Sequence, residues 1–550
     1  MYQSLRGTGP IVNTVASFSH EFYRRIQSVE WLLKSIPNDL NVLHVPSGCG
    51  LLSARELEIT ETVDINTTLT NLAQGVWSSV EVTTAYSKRA IIAHQLTNCL
   101  TEIFVDKALA RAKELDEHLA RTGKVVGPLH GLPLSLKDTF PIKGLVTSMG
   151  YVAWLKEVAE NDCVIVEILK DAGAVLFVRT NAPQTLMWGE TYNNIFGRTL
   201  NPYNRSLTPG GSSGGEGALI ALRGSPLGVG TDIGGSVRIP TTFTSLYALR
   251  SSMFRFPYSR VVNSFEGQEA IQSVLGPMAP SLAALRLFAK TVVDSKPWNL
   301  DPACPRLPWN AEYEALSDHG GPGPNLKRAL EITRKALRAA GHIVLDWENH
   351  RHMDIHRNAH AIYFGDAAID VPMERHVVIP PVAEPESALF DSQEEPAAMG
   401  PPWGIPGKTA GELWDLHKER RKLMKEYLDQ WEATTSKTGT GRPVDAIISP
   451  AAAYPAPPHG HNSDAFYTSL WNTLDYSAVT FPVTTVDPAL DVKVHRDVFH
   501  NHEDEHVYHW YDPHLFKDAP VGLQVVGRPY EEEAVLTMTS IVIDALVRDH

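Results

Sequence analysis

The chain has 550 residues with 63 acidic and 49 basic side chains, a formal charge of −14 at pH 7. That sign opposes binding to a phosphate backbone and excludes nucleic acid as a partner. With 43% hydrophobic and 20% charged residues the sequence stands well outside the disordered class, and its length accommodates several domains or one large α/β unit.

Residues 1–50 show little periodicity beyond a candidate helix at 22–33 and read as an N-terminal extension. Arg6, Asn13, Ser17, His20 and Glu21 interrupt any signal-peptide core, and nowhere do roughly 18 apolar residues run together as a membrane span requires. The four cysteines, Cys49, Cys99, Cys163 and Cys304, are too far apart for a disulfide framework or a C-x-x-C metal site. These features predict a cytoplasmic protein with reduced thiols and no membrane partner.

A helical layer is expected over 51–125. Asp64 caps a helix with Ile65, Leu69 and Leu72 on one face and a stop at Gly75. Ser79 opens a second with Val82, Ala85, Tyr86 and Ala93, and a third carries Ala108, Ala112, Leu115 and Leu119 up to Gly123. From Gly127 the pattern changes to short apolar runs punctuated by glycine. Asp162–Asp171 reads as a helix, Gly173 as its stop and Ala174–Val178 as a strand buried on both faces. The same grammar recurs at 325–340, Gly341 and a strand at 342–347, which argues for a mixed or parallel sheet covered by helices. Proline and acid concentrate between 372 and 408 and predict an irregular insertion. Thr409 and Glu412 form a capping-box pattern for a helix bearing Leu413, Leu416, Leu423, Tyr427 and Trp431, followed by a strand at 444–448.

The most unusual segment is 208–240, TPGGSSGGEGALIALRGSPLGVGTDIGGSVRIP, where glycines and hydroxyls are too dense for an ordinary helix or strand. The apolar pieces Ala218–Leu222 and Pro226–Val229 argue against a flexible linker. Gly210–Gly214 satisfies the G-x-S-x-G pattern of a nucleophile elbow, yet the preceding NPYNRSLTP supplies no strand for Ser212 to follow. The run Gly230–Ser236 suits convergent backbone N–H groups beside a hydroxyl, as in an oxyanion hole, and no phosphate-binding pattern is satisfied. Serine needs a base. Lys137 is the best candidate, because the apolar strand in HGLPLSLKD carries it inward and burial lowers its pKa toward neutrality; the competing reading is an exposed lysine paired with Asp138.

Together GGSSGGEGA, GTDIGGSVRIP and GLPLSLKD resemble the amidase signature family, and the spacing of Lys137, Ser212 and Ser236 is similar to that family's. From about Asn41 onward ELEITE, AHQLTNCLTEIF, NNIFGRTLNPYNR, GQEAIQSVLGPM and LQVVGR resemble its acetamidase-like, fungal-type branch. The resemblance implies an α/β amidase-signature fold with a central mixed β-sheet covered by helices on both faces. It makes 51–550 one domain, with the helical layer (51–125), a signature core (126–295) and the insertion (372–408). It also implies Ser236 as the acylated nucleophile, Ser212 on a cis peptide as the bridging serine and Lys137 as the base. Backbone N–H groups of Ile233, Gly234, Gly235 and Ser236 would receive the oxyanion, with Ser213, Asp232 and Arg238 behind them.

The segment 244–255 departs from the family. Ser245, Ala248 and Phe254 stand where glycines are usual, and Pro280 and Ala284 stand where Arg and Asp are usual. Of the competing motifs, His502-Glu503-Asp504-Glu505-His506 is a formal H-E-x-x-H but reads as a solvated His-rich loop ended by Pro513. Lys437-Thr438-Gly439 lacks the S-x-x-K that a β-lactamase needs. His130 reads as a structural histidine, and no assignment rests on Trp188, Trp403, Trp414 or Trp471. The expected activity is hydrolysis of a small-molecule carboxamide through an acyl-enzyme, without cofactor or metal. Two alternatives remain open at this level: the glutaminase-type subunit of an amidotransferase, and a catalytically silent amidase-like binding protein. A homodimer also stays open.

Overall fold

Apolar runs between glycines become the strands of one mixed sheet in the computed structural model, which describes residues 31–312, 326–365, 407–462, 465–499 and 502–549. In chain order the strands used below are β1 (Leu100–Ile103), β2 (Pro133–Lys137), β3 (Val175–Thr180), β4 (Tyr192–Asn193), β5 (Gly197–Arg198), β6 (Gly228–Asp232), β7 (Tyr247–Arg250), β8 (Val274–Ala279), β9 (Ile447–Pro450), β10 (Ala478–Thr485) and β11 (Pro520–Val526). Nine of them form the sheet in the order β1-β3-β2-β6-β8-β7-β10-β11-β9, and β4 and β5 form a separate hairpin. Only β3, β2 and β6 run parallel to one another; the other ladders are antiparallel.

Both faces of this sheet are buried. Leu176 packs into one hydrophobic cluster while its neighbours Val175 and Phe177 pack into another. Leu249 and Ala248 divide in the same way. Alternation of side chains across a strand makes this the signature of helices on both sides.

Helices begin where the caps say they should. Asp64 accepts from the N–H groups of Asn66 and Thr67 at the start of α1 (Ile65–Ala73). Helix α2 (Ser79–Thr97) is capped by Ser78, whose hydroxyl and the Glu81 carboxylate complete a capping box. Helix α3 (Val105–Thr122) stops at Gly123, which takes φ +64°. The signature segment contributes α4 (Gly214–Ala221) and α5 (Arg238–Phe243). Further along lie α6 (Leu326–Ala339), α7 (His352–Tyr363), α8 (Ala410–Ala433), α9 (Phe466–Leu474) and α10 (His502–Trp510). The Thr409–Glu412 capping box of α8 is present as expected.

Three expectations are corrected. Residues 342–347 form no strand: Val344 is buried and Trp347 packs on a cluster with Tyr427 and Trp431, but the backbone meets no ladder partner. The strand expected at 444–448 lies at Ile447–Pro450, where it pairs with β11. The His-rich stretch is helical rather than a loop, because Val507, Trp510 and Tyr511 recur at helical spacing and pack on the main core. The helix expected at 22–33 falls for the most part outside the described residues, as do Trp403 and nearly all of the insertion at 372–408.

Candidate active site

Lysine at position 137 ends β2, a strand buried along its whole length. Ser135 and Lys137 share one face of that strand. On this face Ser135 Oγ donates to Glu216 Oε2 at 2.6 Å, and Lys137 Nζ lies 2.7 Å from Ser212 Oγ and 2.8 Å from Thr231 Oγ1. Thr231 reaches the amine because β6 runs parallel beside β2. The C-terminal ends of two adjacent parallel strands therefore meet here, where α/β sheets usually place their chemistry. The competing partner of Lys137 is engaged elsewhere: Asp138 sits 3.3 Å from Arg179 and accepts from Ser148 Oγ at 2.7 Å.

Burial brings Lys137 down to about 7, against the opposing pull of Asp232 and Glu216. Burial likewise pushes Glu216 up to about 8, although Ser135, Thr180 and Lys137 all favour its charged form. A neutral Lys137 donates one N–H to Thr231 and offers its lone pair to the Ser212 hydroxyl.

The Gly211–Ser212 peptide is cis. The glycines before Ser212 answer to close backbone approach, since a Cβ at Gly211 would lie inside the Glu190 backbone. The two serine segments are also tied to each other, for Ser213 N–H donates to Ser236 O at 3.1 Å. Ser213 Oγ lies 3.4 Å from the Thr231 N–H that donates to it.

Asp232 organises the loop that follows β6. Its carboxylate accepts from Gly235 N–H at 2.9 Å and Val237 N–H at 3.3 Å. Arg238 grips it through Nε and Nη2, each at 3.0 Å, and Asn472 donates to it at 2.9 Å. Burial alone would raise this carboxyl, but the charge and hydrogen bonds of Arg238 take it down to about 2. Gly235 sits at φ +134°, where a side chain would also strike Thr468. Of the N–H groups expected to face an oxyanion, that of Gly235 is thus committed to Asp232. Those of Ile233, Gly234 and Ser236 meet no acceptor among the described residues. Gly234 and Ser236 are the partly exposed members of an otherwise buried loop, and space is open beside Gly234. Ser236 Oγ makes no hydrogen bond among the described residues, as is common for a nucleophile without substrate.

Behind the loop, the unusual segment 244–255 follows α5 directly. Ser245 and Phe254 both take positive φ, +57° and +64°. The segment is nailed down by Arg250, paired with Asp475 at 3.0 Å, and by Arg255, which meets Glu532 at 3.3 Å and Glu533 at 2.5 Å.

Sequence reasoning missed Thr231 and Glu216. Thr231 sits one residue before Asp232 in a strand whose parallel pairing no local pattern announces, and Glu216 is hidden inside a glycine run. The remaining candidates fall away. His130 accepts from Val126 N–H at 3.1 Å and touches neither serine. Trp471 is core, Trp414 is 65% exposed, and Trp188 packs edge-on against Tyr192. Among the described residues no three metal-ligating side chains come together. No helix among them is long and apolar enough to cross a membrane.

The profile of the Amidase family matches residues 81–536. The acetamidase of Emericella nidulans is 41% identical over 530 residues, covering 93% of this chain and 94% of that protein. The acetamidase of Aspergillus oryzae is 40% identical over 530 residues, covering 93% and 95%. Among solved structures, fatty acid amide hydrolase superposes with a TM-score of 0.86 at 30% identity, covering 99% of this chain and 97% of that one. A chain matched over this length belongs to the amidase family of amide-hydrolysing enzymes.

Proposed function

We propose that this amidase cleaves a carboxamide through Ser236, Ser212 and Lys137. The observation that carries the reading is the buried Lys137 amine held between Ser212 Oγ and Thr231 Oγ1. Lys137 takes the Ser212 proton as Ser212 takes that of Ser236, and Ser236 Oγ adds to the amide carbonyl. The N–H groups of Ile233 and Gly234 receive the developing oxyanion. The tetrahedral species expels ammonia or an amine, which leaves with the proton returned from Lys137 through Ser212. Water then attacks the Ser236 ester by the same relay and releases the carboxylate.

Acetamide is the first substrate to try, given the acetamidases to which the chain is similar. The test is a fluorophosphonate, which loses fluoride as an activated serine oxygen bonds to phosphorus, with the adduct mapped by mass spectrometry. The expected adduct is on Ser236 and disappears in Lys137→Ala. An adduct on Ser212 instead, or equal labelling in Lys137→Ala, would overturn the assignment.

A further inference from the structure

Two hydroxyls from distant helices grip the backbone on which the oxyanion role depends. Tyr363, the last residue of α7, donates its phenol to Ile233 O at 2.7 Å. Thr468 of α9 donates to the next carbonyl, Gly234 O, at 2.6 Å. The two helices pack against each other, so the clamps belong to one unit. Both hydroxyls are buried: Tyr363 is 7% exposed and shares an apolar cluster with the Ile233 side chain, and Thr468 is fully covered. Burial pushes the Tyr363 phenol up, so it keeps its proton and remains a donor.

A trans peptide is planar, with its C=O and N–H pointing in opposite directions. Holding Ile233 O toward α7 therefore aims the Gly234 N–H away from it. That N–H meets no acceptor among the described residues, and Gly234 is one of the partly exposed members of the loop, with open space beside its Cα. The following peptide is fixed twice, with Gly234 O on Thr468 and Gly235 N–H on Asp232. A pair of glycines would otherwise leave these planes free to rotate.

We propose that Tyr363 and Thr468 are positioning residues that fix the Ile233–Gly234 and Gly234–Gly235 peptide planes so that the Gly234 N–H is presented to the oxyanion. This rests on the reading of Ser236 as nucleophile. Removing a direct oxyanion donor lowers kcat by about 10²–10³; losing only its alignment is expected to cost roughly tenfold.

The test measures kcat and KM for acetamide hydrolysis in Tyr363→Phe, which keeps the ring and removes the hydroxyl. Thr468→Val and Thr468→Ser form a second pair in which only serine keeps the donor. Tyr427→Phe is the control, because the Tyr427 hydroxyl meets His352 of the same helix α7, at 3.1 Å, without reaching the loop. The expected result is a roughly tenfold fall in kcat with KM within about twofold for Tyr363→Phe and Thr468→Val. Thr468→Ser and Tyr427→Phe should stay near the parent. Hydrogen exchange over the peptide spanning 230–240 should quicken in the first two variants alone, and this reads the clamp whether or not acetamide is turned over. Unchanged kcat and exchange in Tyr363→Phe would overturn the proposal, as would an equal loss in Tyr427→Phe. A parent enzyme that takes no fluorophosphonate on Ser236 would sink the nucleophile assignment instead, and exchange alone would then decide the clamp.

Discussion

Lys137 has to be neutral to accept a proton, so kcat/KM should rise through about pH 7 and level off above it; a limb near the 10.4 of an ordinary lysine would refute this. The same residue writes a signature into stability. Its folded pKa lies below the unfolded value, so the unfolded chain binds the extra proton between about pH 7 and 10.4, and stability rises with pH across that window. Glu216, raised to about 8, has the opposite sign and makes stability fall as pH climbs from about 4.3 to 8. The urea midpoint of the parent should therefore gain on that of Lys137→Met between about pH 8 and 10, whatever common slope both proteins take from the thiols of Cys99, Cys163 and Cys304, which burial pushes up to about 12. A separate residue-scale prediction concerns the filled-in glycine at 245. Ser245 holds a left-handed conformation that costs an L-residue about 1–2 kcal/mol, partly offset by the greater chain entropy of glycine. Ser245→Gly is expected to raise unfolding stability by about 0.5–1 kcal/mol in urea melts.

Among the elements, those with local chemistry at their ends were readable. Two serines stand together at the start of α2, and only Ser78 has a glutamate three positions on, which is why it rather than Ser79 caps the helix. Ser78→Ala should cost about 1 kcal/mol in a denaturation midpoint, whereas Ser79→Ala should leave the cap intact. Lys137, Ser212 and the glycine loop were legible because their chemistry is written into contiguous motifs. Tyr363, Thr468 and Asn472 were not, because they reach the loop from more than a hundred residues away and resemble ordinary helix residues. The segment 342–347 shows the converse limit. Its apolar run after a helix and a glycine satisfies the strand pattern, yet a strand also needs a neighbouring backbone to bond, and a local pattern carries no information about that.

Across the whole molecule, the buried Asp232–Arg238 pair joins the loop to the sheet and to α9. Arg238 also donates to Gln524 on β11 at 3.1 Å and to Asn472 on α9 at 2.6 Å. Arg238→Met would leave Asp232 buried without its counter-charge, a loss of about 3–5 kcal/mol by chemical denaturation. The mixed sheet that the sequence predicted is present, but its strand order could not be read, because neighbours such as β7 and β10 are remote from each other in the chain.

That pairing has a consequence for synthesis. The Ala248 N–H bonds Thr480 Oγ1 across a separation of 232 residues. At about 5–20 residues per second, a ribosome takes roughly 10–50 s to make the intervening chain. Throughout that interval the inner edge of β7 stays an open template for any other nascent strand. The sheet around the site is therefore completed only after β10 has been made, and a chaperone that shields β7 until then should raise the yield of active enzyme more than one that acts later.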